Sequence, residues 1–463
     1  MARKRVRTAE MEQTSRIGME IAQHFHEIIG TLLLSMPIPD SLSQMEEGVR
    51  DAMLRLGRTF LTSWLDLQNN PYPPETMSCR CGAQARYREM RDGVLVTALG
   101  RVTYRRAYYL CDACHQGTYP LDERLGLRPG EISADLERLT GFTGAQLPFA
   151  HSSELFEELT LLSVSPQTID KATQAFGAEA EAVEKELIAV SHDPEALLRQ
   201  ERETAPIDRL YATLDAAKVH TDERRDADDE GWRDLKIGAW FESMTTAPAT
   251  PDGDWDVKAK NIAYFCDIAP AERFGELLWA TGVQRRAPRA KELIVVADGA
   301  DWIWNLVETH FPKAVQIVDW FHAAEHLSAV TAACAPSPEA QAWLTETRVA
   351  LWDGRLDDVI QACQRKAQPN CKNDAAHKAL TYFTNNRQRM CYPEYRAKGY
   401  QIGSGTVESG CKQIGTQRMK VAGATWTTTG ARHVAKARAA SLSDGQWCML
   451  AERRVHLAAP TPA

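Results

Sequence analysis

Residues 292–304 read ELIVVADGADWIW, and the rest of the chain is interpreted outward from them. Leu293 to Ala297 is an apolar, β-branched run of strand length. It ends on Asp298, with Gly299 next and a helix following. A carboxylate against an apolar strand is costly unless it is paired or meets a cation. Upstream, Arg209 to Ala216, Leu235 to Glu242 and Asn261 to Ile268 read as strands lying close together, as an antiparallel meander would. Leu293 to Ala297 and Val315 to Val318 are separated by helices, as parallel strands would be. From 320 to 400 the pattern is wholly helical, and a final helix is expected to begin near Gly403 to Gly405.

Two more acids share the setting of Asp298. LYATLDAAKVH (210–220) places Asp215 inside the first strand, and GSGTVESGCKQI (403–414) places Glu408 on a helix that opens after a Gly-Ser-Gly turn. Taken singly, each is a surface or capping group. Taken together on this strand order, they can hold two Mg²⁺ (or Mn²⁺) ions about 4 Å apart. One ion would activate a water or a 3′-hydroxyl, and the other would stabilise the leaving oxygen. Asp301 reads as the N-cap or first-turn acid of the next helix. In VDWFHAAEHL (318–327), Asp319 and His322 stand one helical turn apart, which by itself is a structural polar pair.

The ordered strands with Asp215, Asp298 and Glu408 resemble the RNase H-like catalytic domain of DDE transposases. Asp319 and His322 match the (Cys/Asp)-x-x-His motif of Mutator-like and related transposases. GSGTVESGCKQIGTQRMKVAGATWT (403–427) resembles the Glu-bearing helix of bacterial insertion-sequence transposases of the ISKra type. The resemblance covers about 210–440. It implies a multidomain α+β protein. An RNase H-like α/β catalytic domain (207–319 and 401–445) would carry an all-helical insertion (320–400). Asp215 would bridge two ions, Asp298 and Glu408 would each ligate one, and Asp319 and His322 would support the site without ligating. The implied function is binding of transposon-end DNA, followed by strand cleavage and transfer into target DNA. The rivals are an RNase H-fold nuclease or resolvase without strand transfer, and a non-catalytic DNA-binding protein on the same scaffold. Duplex DNA and a second copy of the chain, as a homodimer or higher oligomer, are the partners implied.

Upstream, Cys79-x-Cys81 and Cys111-x-x-Cys114 bracket two short strands (Val94, Val96, Leu99; Val102, Tyr104, Ala107, Tyr109) that turn around Leu99-Gly100. Four thiolates on two knuckles suit structural Zn²⁺ in a zinc-ribbon-like hairpin over 76–125. The first knuckle is one residue short, His115 is a possible substitute ligand, and four unmetalled thiols are the alternative. Over 126–177, Ser152 to Leu161, the turn SVSP, and Pro166 to Phe176 capped by Ser165 read as a helix-turn-helix. It would offer Gln167, Thr168, Asp170 and Lys171 to a major groove. Two ordinary packed helices are the alternative. Residues 1–75 read as an N-terminal helical region, with helix over 9–68 broken at Pro37, Ile38 and Pro39. Residues 178–206 read as an acidic helix and linker.

Apolar residues make up 44% and charged residues 25% of the 463, which excludes a disordered or collagen-like chain. No apolar run approaches the ~20 residues of a membrane span. MARKRVRTAEMEQ at the start lacks the apolar core of a secretion signal. The expectation is a soluble bacterial protein of the cytoplasm, acting at the nucleoid. Eleven cysteines, an odd count, favour free thiols and metal ligands over disulfides. The net charge of -8 by itself argues against nucleic acid. Residues 178–230, however, hold sixteen acids and seven bases. Residues 79–110 hold seven arginines against Glu89 and Asp92, and residues 401–440 hold six bases against Glu408. Arg105 and Arg106 in the first basic segment, and Lys412, Arg418 and Lys420 in the second, are the expected phosphate contacts. Trp426 reads as packing rather than base stacking.

Overall fold

The structure is a computed structural model. It describes residues 41–458, other than 70, 71, 225, 227, 335 and 368–373, together with isolated positions between 15 and 34. The expected break at 37–39 and most of the helix expected before it lie outside the described residues. The chain is a mixed α and β protein with two sheets, one antiparallel and one mixed. It divides into two units, residues 1–172 with 449–463, and residues 173–448. Among the described residues no helix is long and apolar enough to cross a membrane.

The first unit begins with α1 (Leu42–Leu67), whose Gln44 amide donates to the Ser41 hydroxyl. Then come β1 (Thr76–Ser78), β2 (Gln84–Thr97), β3 (Gly100–Cys111) and β4 (Gly117–Thr118), hydrogen-bonded in that order and antiparallel. The β2–β3 hairpin is longer than its apolar pattern predicts. Leu95, Val102 and Tyr104 pack on Leu65 and Leu121. Beyond them the arginines extend the strands by lying on aromatic faces. Arg91 sits 3.7 Å from the Tyr108 ring and Arg106 sits 3.9 Å from that of Tyr119. The turn is Ala98-Leu99. Gly100, at φ +108°, already pairs with Thr97, and a side chain there would be strained. Next come α2 (Pro120–Leu125), α3 (Ala134–Gln146), α4 (Phe149–Thr160) and the start of α5 (Pro166–Ser191). Leu136, Phe156, Val164 and Ile169 bind α3, α4 and α5 into a small core.

α4, the turn and the capped start of α5 match the expected helices, with the Thr168 amide donating to Ser165 Oγ at 3.2 Å. The second helix does not stop near Phe176. It runs 26 residues to Ser191, so the expected boundary at 177/178 falls inside a helix. Gly177 is there for contact: a Cβ on it would lie 1.9 Å from the His433 carbonyl oxygen.

The second unit adds α6 (Pro194–Glu203), β5 (Arg209–His220), β6 (Trp232–Thr246), β7 (Asp256–Asp267), α7 (Ala271–Gln284), β8 (Glu292–Ala297), α8 (Asp301–His310) and β9 (Val315–Val318). The sheet order is β7-β6-β5-β8-β9. β5, β6 and β7 pair antiparallel, and β8 and β9 join in parallel. Leu214, Val295, Ile303, Val307 and Leu327 lie in one continuous apolar core. Five helices follow: α9 (Trp320–Ala332), α10 (Pro338–Trp352), α11 (Leu356–Lys366), α12 (Asp374–Asn385) and α13 (Tyr392–Ala397). No strand interrupts them among the described residues. The chain returns through α14 (Gly405–Gly410), a π-helical stretch over Cys411–Met419, α15 (Thr428–Ser441) and α16 (Gln446–Ala458). The expected single final helix is therefore broken. Close contact with the sheet accounts for the break. A Cβ on Gly410 would lie 2.7 Å from the Tyr264 ring, and one on Gly415 would lie 2.6 Å from Ala217.

Candidate active site and metal-ligating clusters

Strand register places the first two acids side by side. Leu214 of β5 pairs with Ala297 of β8, the last pair of that parallel ladder. Asp215 is the next residue of β5 and Asp298 the first residue past β8, and adjacent strands lie about 4.8 Å apart. The Asp298 carboxylate accepts the Ala300 amide at 3.0 Å and that of Asp215 accepts the Ala216 amide at 2.6 Å. Burial, opposed by the Ala300 amide and reinforced by the charge of Asp215, lifts the Asp298 carboxyl above its usual range.

Glu408 arrives on α14. Ser404, one turn earlier, donates its hydroxyl to Glu408 Oε1 at 2.9 Å. Cys411, one turn later, donates its thiol to Asp215 Oδ2 at 3.3 Å. Burial, and then the negative charges of Asp215, Glu408 and Asp298, push the Cys411 thiol up. One thiol thus senses all three acids.

Asp319 and His322 stand close to Glu408. Ligand atoms of Asp319, His322 and Glu408 all lie within 4.8 Å of one another, so this group could hold a metal. Asp319 is fully buried, and both its oxygens already accept backbone amides, His322 on Oδ1 at 2.9 Å and Ser404 on Oδ2. Burial acts to raise the Asp319 carboxyl, but these hydrogen bonds outweigh it and hold it low. Asp319 therefore clamps the start of α9 to the turn that delivers Glu408. Its carboxylate, 3.6 Å from His322 Nδ1, pushes the imidazole up to about 9, and Glu408 Oε1 lies 4.0 Å from the same nitrogen. Asp301 is a first-turn acid of α8, not its N-cap.

In the first unit the four cysteines gather. Cys79 Sγ lies 3.6 Å from Cys114 Sγ, Cys81 Sγ lies 3.7 Å from Cys111 Sγ, and all four sulfurs are within 4.8 Å of one another. Tetrahedral thiolates at a Zn–S distance of 2.3 Å would be about 3.8 Å apart. The short first knuckle closes through Gly82 at φ +85°, whose amide donates to the Cys79 carbonyl. His115 is exposed and outside the cluster. The Cys114 and Ala113 amides outweigh burial and hold the Cys111 thiol down to about 7. Against the Gln116 amide, burial and the other thiols push Cys114 up to about 12.

The expected DNA contacts divide. Arg105, Gln167, Lys171, Lys412 and Lys420 are exposed, and Thr168 is half-buried with its hydroxyl on that of Ser165. Arg106 is not available to a phosphate: it pairs with Asp122, and its side chain is 11% exposed. Arg418 is not available either: it is 1% exposed and sits beside the Trp426 ring. Arg106 is buried with its charge on Asp122, and Arg418 is buried beside the Trp426 ring, as an arginine stem packs well against apolar surface. Trp426 is buried and donates to the Met419 carbonyl at 3.1 Å, which is packing.

No family model matches the chain, and no curated protein does. Among solved structures it is similar to the Drosophila P element transposase strand transfer complex, at 10% identity and a TM-score of 0.23. The match covers 71% of this chain and 82% of that one. A likeness of that size carries no argument about fold or function.

Proposed function

We propose that the chain is a DDE transposase, an enzyme that cleaves DNA strands at transposon ends and joins them to a target with two divalent ions. The observation that carries this reading is the register of β5 and β8, which sets Asp215 beside Asp298, with Cys411, one turn after Glu408, donating its thiol to Asp215. The sheet order β7-β6-β5-β8-β9, three strands antiparallel and two parallel, is consistent with an RNase H-like domain over 207–319 and 401–445, with 320–400 as its helical insertion. The donor set of three carboxylates is hard oxygen, which suits Mg²⁺ or Mn²⁺. Asp215 would bridge two ions, and Asp298 and Glu408 would each hold one. Bound ions would supply an activated water or 3′-hydroxyl and a stabilised leaving oxygen. Ser404 orients Glu408, and Asp319 holds the Ser404 turn in place. The Cys79, Cys81, Cys111 and Cys114 cluster would hold one structural Zn²⁺. The helix-turn-helix would read end DNA through Gln167, Thr168 and Lys171.

Joining two ends calls for two copies. Val49, Met53, Phe60 and Trp64 of α1 are each between 44% and 57% exposed, and we assign this apolar stripe to pairing. A monomeric mass in solution would sink that part of the proposal.

The test is Asp298→Asn in full-length protein. With Mn²⁺, cleavage of plasmid DNA carrying the element ends should fall at least ~100-fold while end binding persists. Equal loss of both would make Asp298 structural. Cut but never joined products would favour the nuclease reading, and binding without any metal-dependent cleavage by the unaltered protein would favour the non-catalytic one.

A further inference from the structure

Cys411 has no part in the reaction proposed above, yet its place is closely determined. It is the first residue of the π-helical stretch, one turn after Glu408. Gly410 and Gly415, on either side of it, let that stretch lie against the sheet. A Cβ on Gly410 would lie 2.7 Å from the Tyr264 ring of β7, and one on Gly415 would lie 2.6 Å from the Ala217 Cβ of β5. Tyr264 also donates its hydroxyl to the Thr406 carbonyl of α14 at 3.1 Å. The backbone that carries both Glu408 and Cys411 is therefore pressed onto the strands, and the Cys411 thiol is brought to Asp215.

Asp215 is the acid that would bridge two ions, so the turn of its carboxylate matters most. The last torsion of an aspartate is broad and does not set that turn by itself. Here each oxygen has one hold. Oδ1 accepts the amide of Ala216 at 2.6 Å, and Oδ2 accepts the Cys411 thiol at 3.3 Å. A carboxylate has about four acceptor positions, so one hydrogen bond on each oxygen leaves each with capacity for a cation. A thiol suits the second hold, because S–H is a weak donor and competes little with an ion for the same oxygen. We infer that Cys411 is a positioning residue for Asp215, its thiol fixing the carboxylate with one open acceptor position on each oxygen. The inference rests on the two-ion reading above. Hydrogen-bond partners of ligating carboxylates typically change metal affinity or activity by about 10–100-fold when removed.

The test follows Mn²⁺ binding to full-length protein by the electron paramagnetic resonance signal of the free ion, beside cleavage of plasmid DNA carrying the element ends. Cys411→Ala should raise the Mn²⁺ concentration for half-saturation about tenfold, the low end of that range. Cleavage at low Mn²⁺ should fall with it and recover as Mn²⁺ is raised, while end binding without metal stays as it was. Cys411→Ser, which keeps a donor, should recover most of the lost affinity. Cys411→Val, which fills the space without a donor, should match the alanine variant and takes its place if that variant does not fold. Unchanged half-saturation in a folded alanine or valine variant overturns the inference. So does a serine variant as weak as the alanine one, because side-chain volume and not the donor would then be at work. Where Asp298→Asn removes bound Mn²⁺, either result leaves the two-ion reading standing. If Asp298→Asn removes none, the two-ion reading fails and the role of Cys411 fails with it.

Discussion

Asp298 combines two unfavourable features, burial and a like charge on the next strand, and a divalent cation would relieve both. Its carboxyl binds a proton more tightly folded than unfolded. The stability tied to that proton is therefore fully present below the ordinary carboxyl range and is lost as pH rises through the raised folded value. Without Mg²⁺ or Mn²⁺ at neutral pH, Asp298→Asn should melt a few degrees above the unaltered protein. The gap should close as pH falls to the ordinary carboxyl range. Adding Mn²⁺ should raise the melting temperature of the unaltered protein only. Differential scanning calorimetry checks all three, and a variant that melts lower at every pH would show a structural carboxylate. The sequence singles out Asp215 and Asp298 because a carboxylate among Leu214, Val296 and their neighbours stands out. It does not single out Cys411 and Ser404, since a thiol and a hydroxyl one turn either side of Glu408 break no pattern. The clamp by Asp319 joins residues 85 apart, and no local pattern reports it.

Elements were legible where burial has a pattern and illegible where contact overrides it. Val315 to Val318 and the other strands of the second sheet follow from continuous apolar runs. The uninterrupted α5 and the π-helical stretch do not, because glycines that usually read as stops are close contacts there. The β2–β3 hairpin shows the same limit: its length depends on arginines lying over tyrosines. That hairpin also packs few apolar side chains, and small cores need a staple. Purified protein should carry about one zinc, and Cys114→Ser should lose it. Amide exchange over 84–111 should then accelerate, with little change over β5 and β8. Acidification should release the metal from the unaltered protein, because protonated thiols do not ligate. Equal exchange rates with and without the fourth cysteine would rule out a stapling role for zinc.

For the molecule as a whole, segment sums of charge overstate the surface available to DNA. Of the six bases in 401–440, Arg418, Lys436 and Arg438 are buried, at 1%, 2% and 6% exposure. Lys436 serves Glu184 and the Cys266 carbonyl, and Arg432 pairs with Asp267 at 2.9 Å. These cations hold α5, α15 and β7 together and cannot also release counterions from a phosphate backbone. Arg105, Lys171, Lys412 and Lys420 remain as exposed expected contacts. Each phosphate neutralised contributes about -0.9 to the slope of log affinity against log salt. On the proposed DNA-binding reading, four contacts would give a slope between about -3 and -4 per chain, well short of what the full basic count would produce. Lys412→Ala should make the slope shallower by about 1 while leaving the melting temperature unchanged. Arg418→Met should do the reverse, lowering the melting temperature and leaving the slope of the remaining folded protein where it was. If Arg418→Met flattened the slope without loss of stability, Arg418 would be a DNA contact after all. The basic count of the sequence would then be the better guide to the surface.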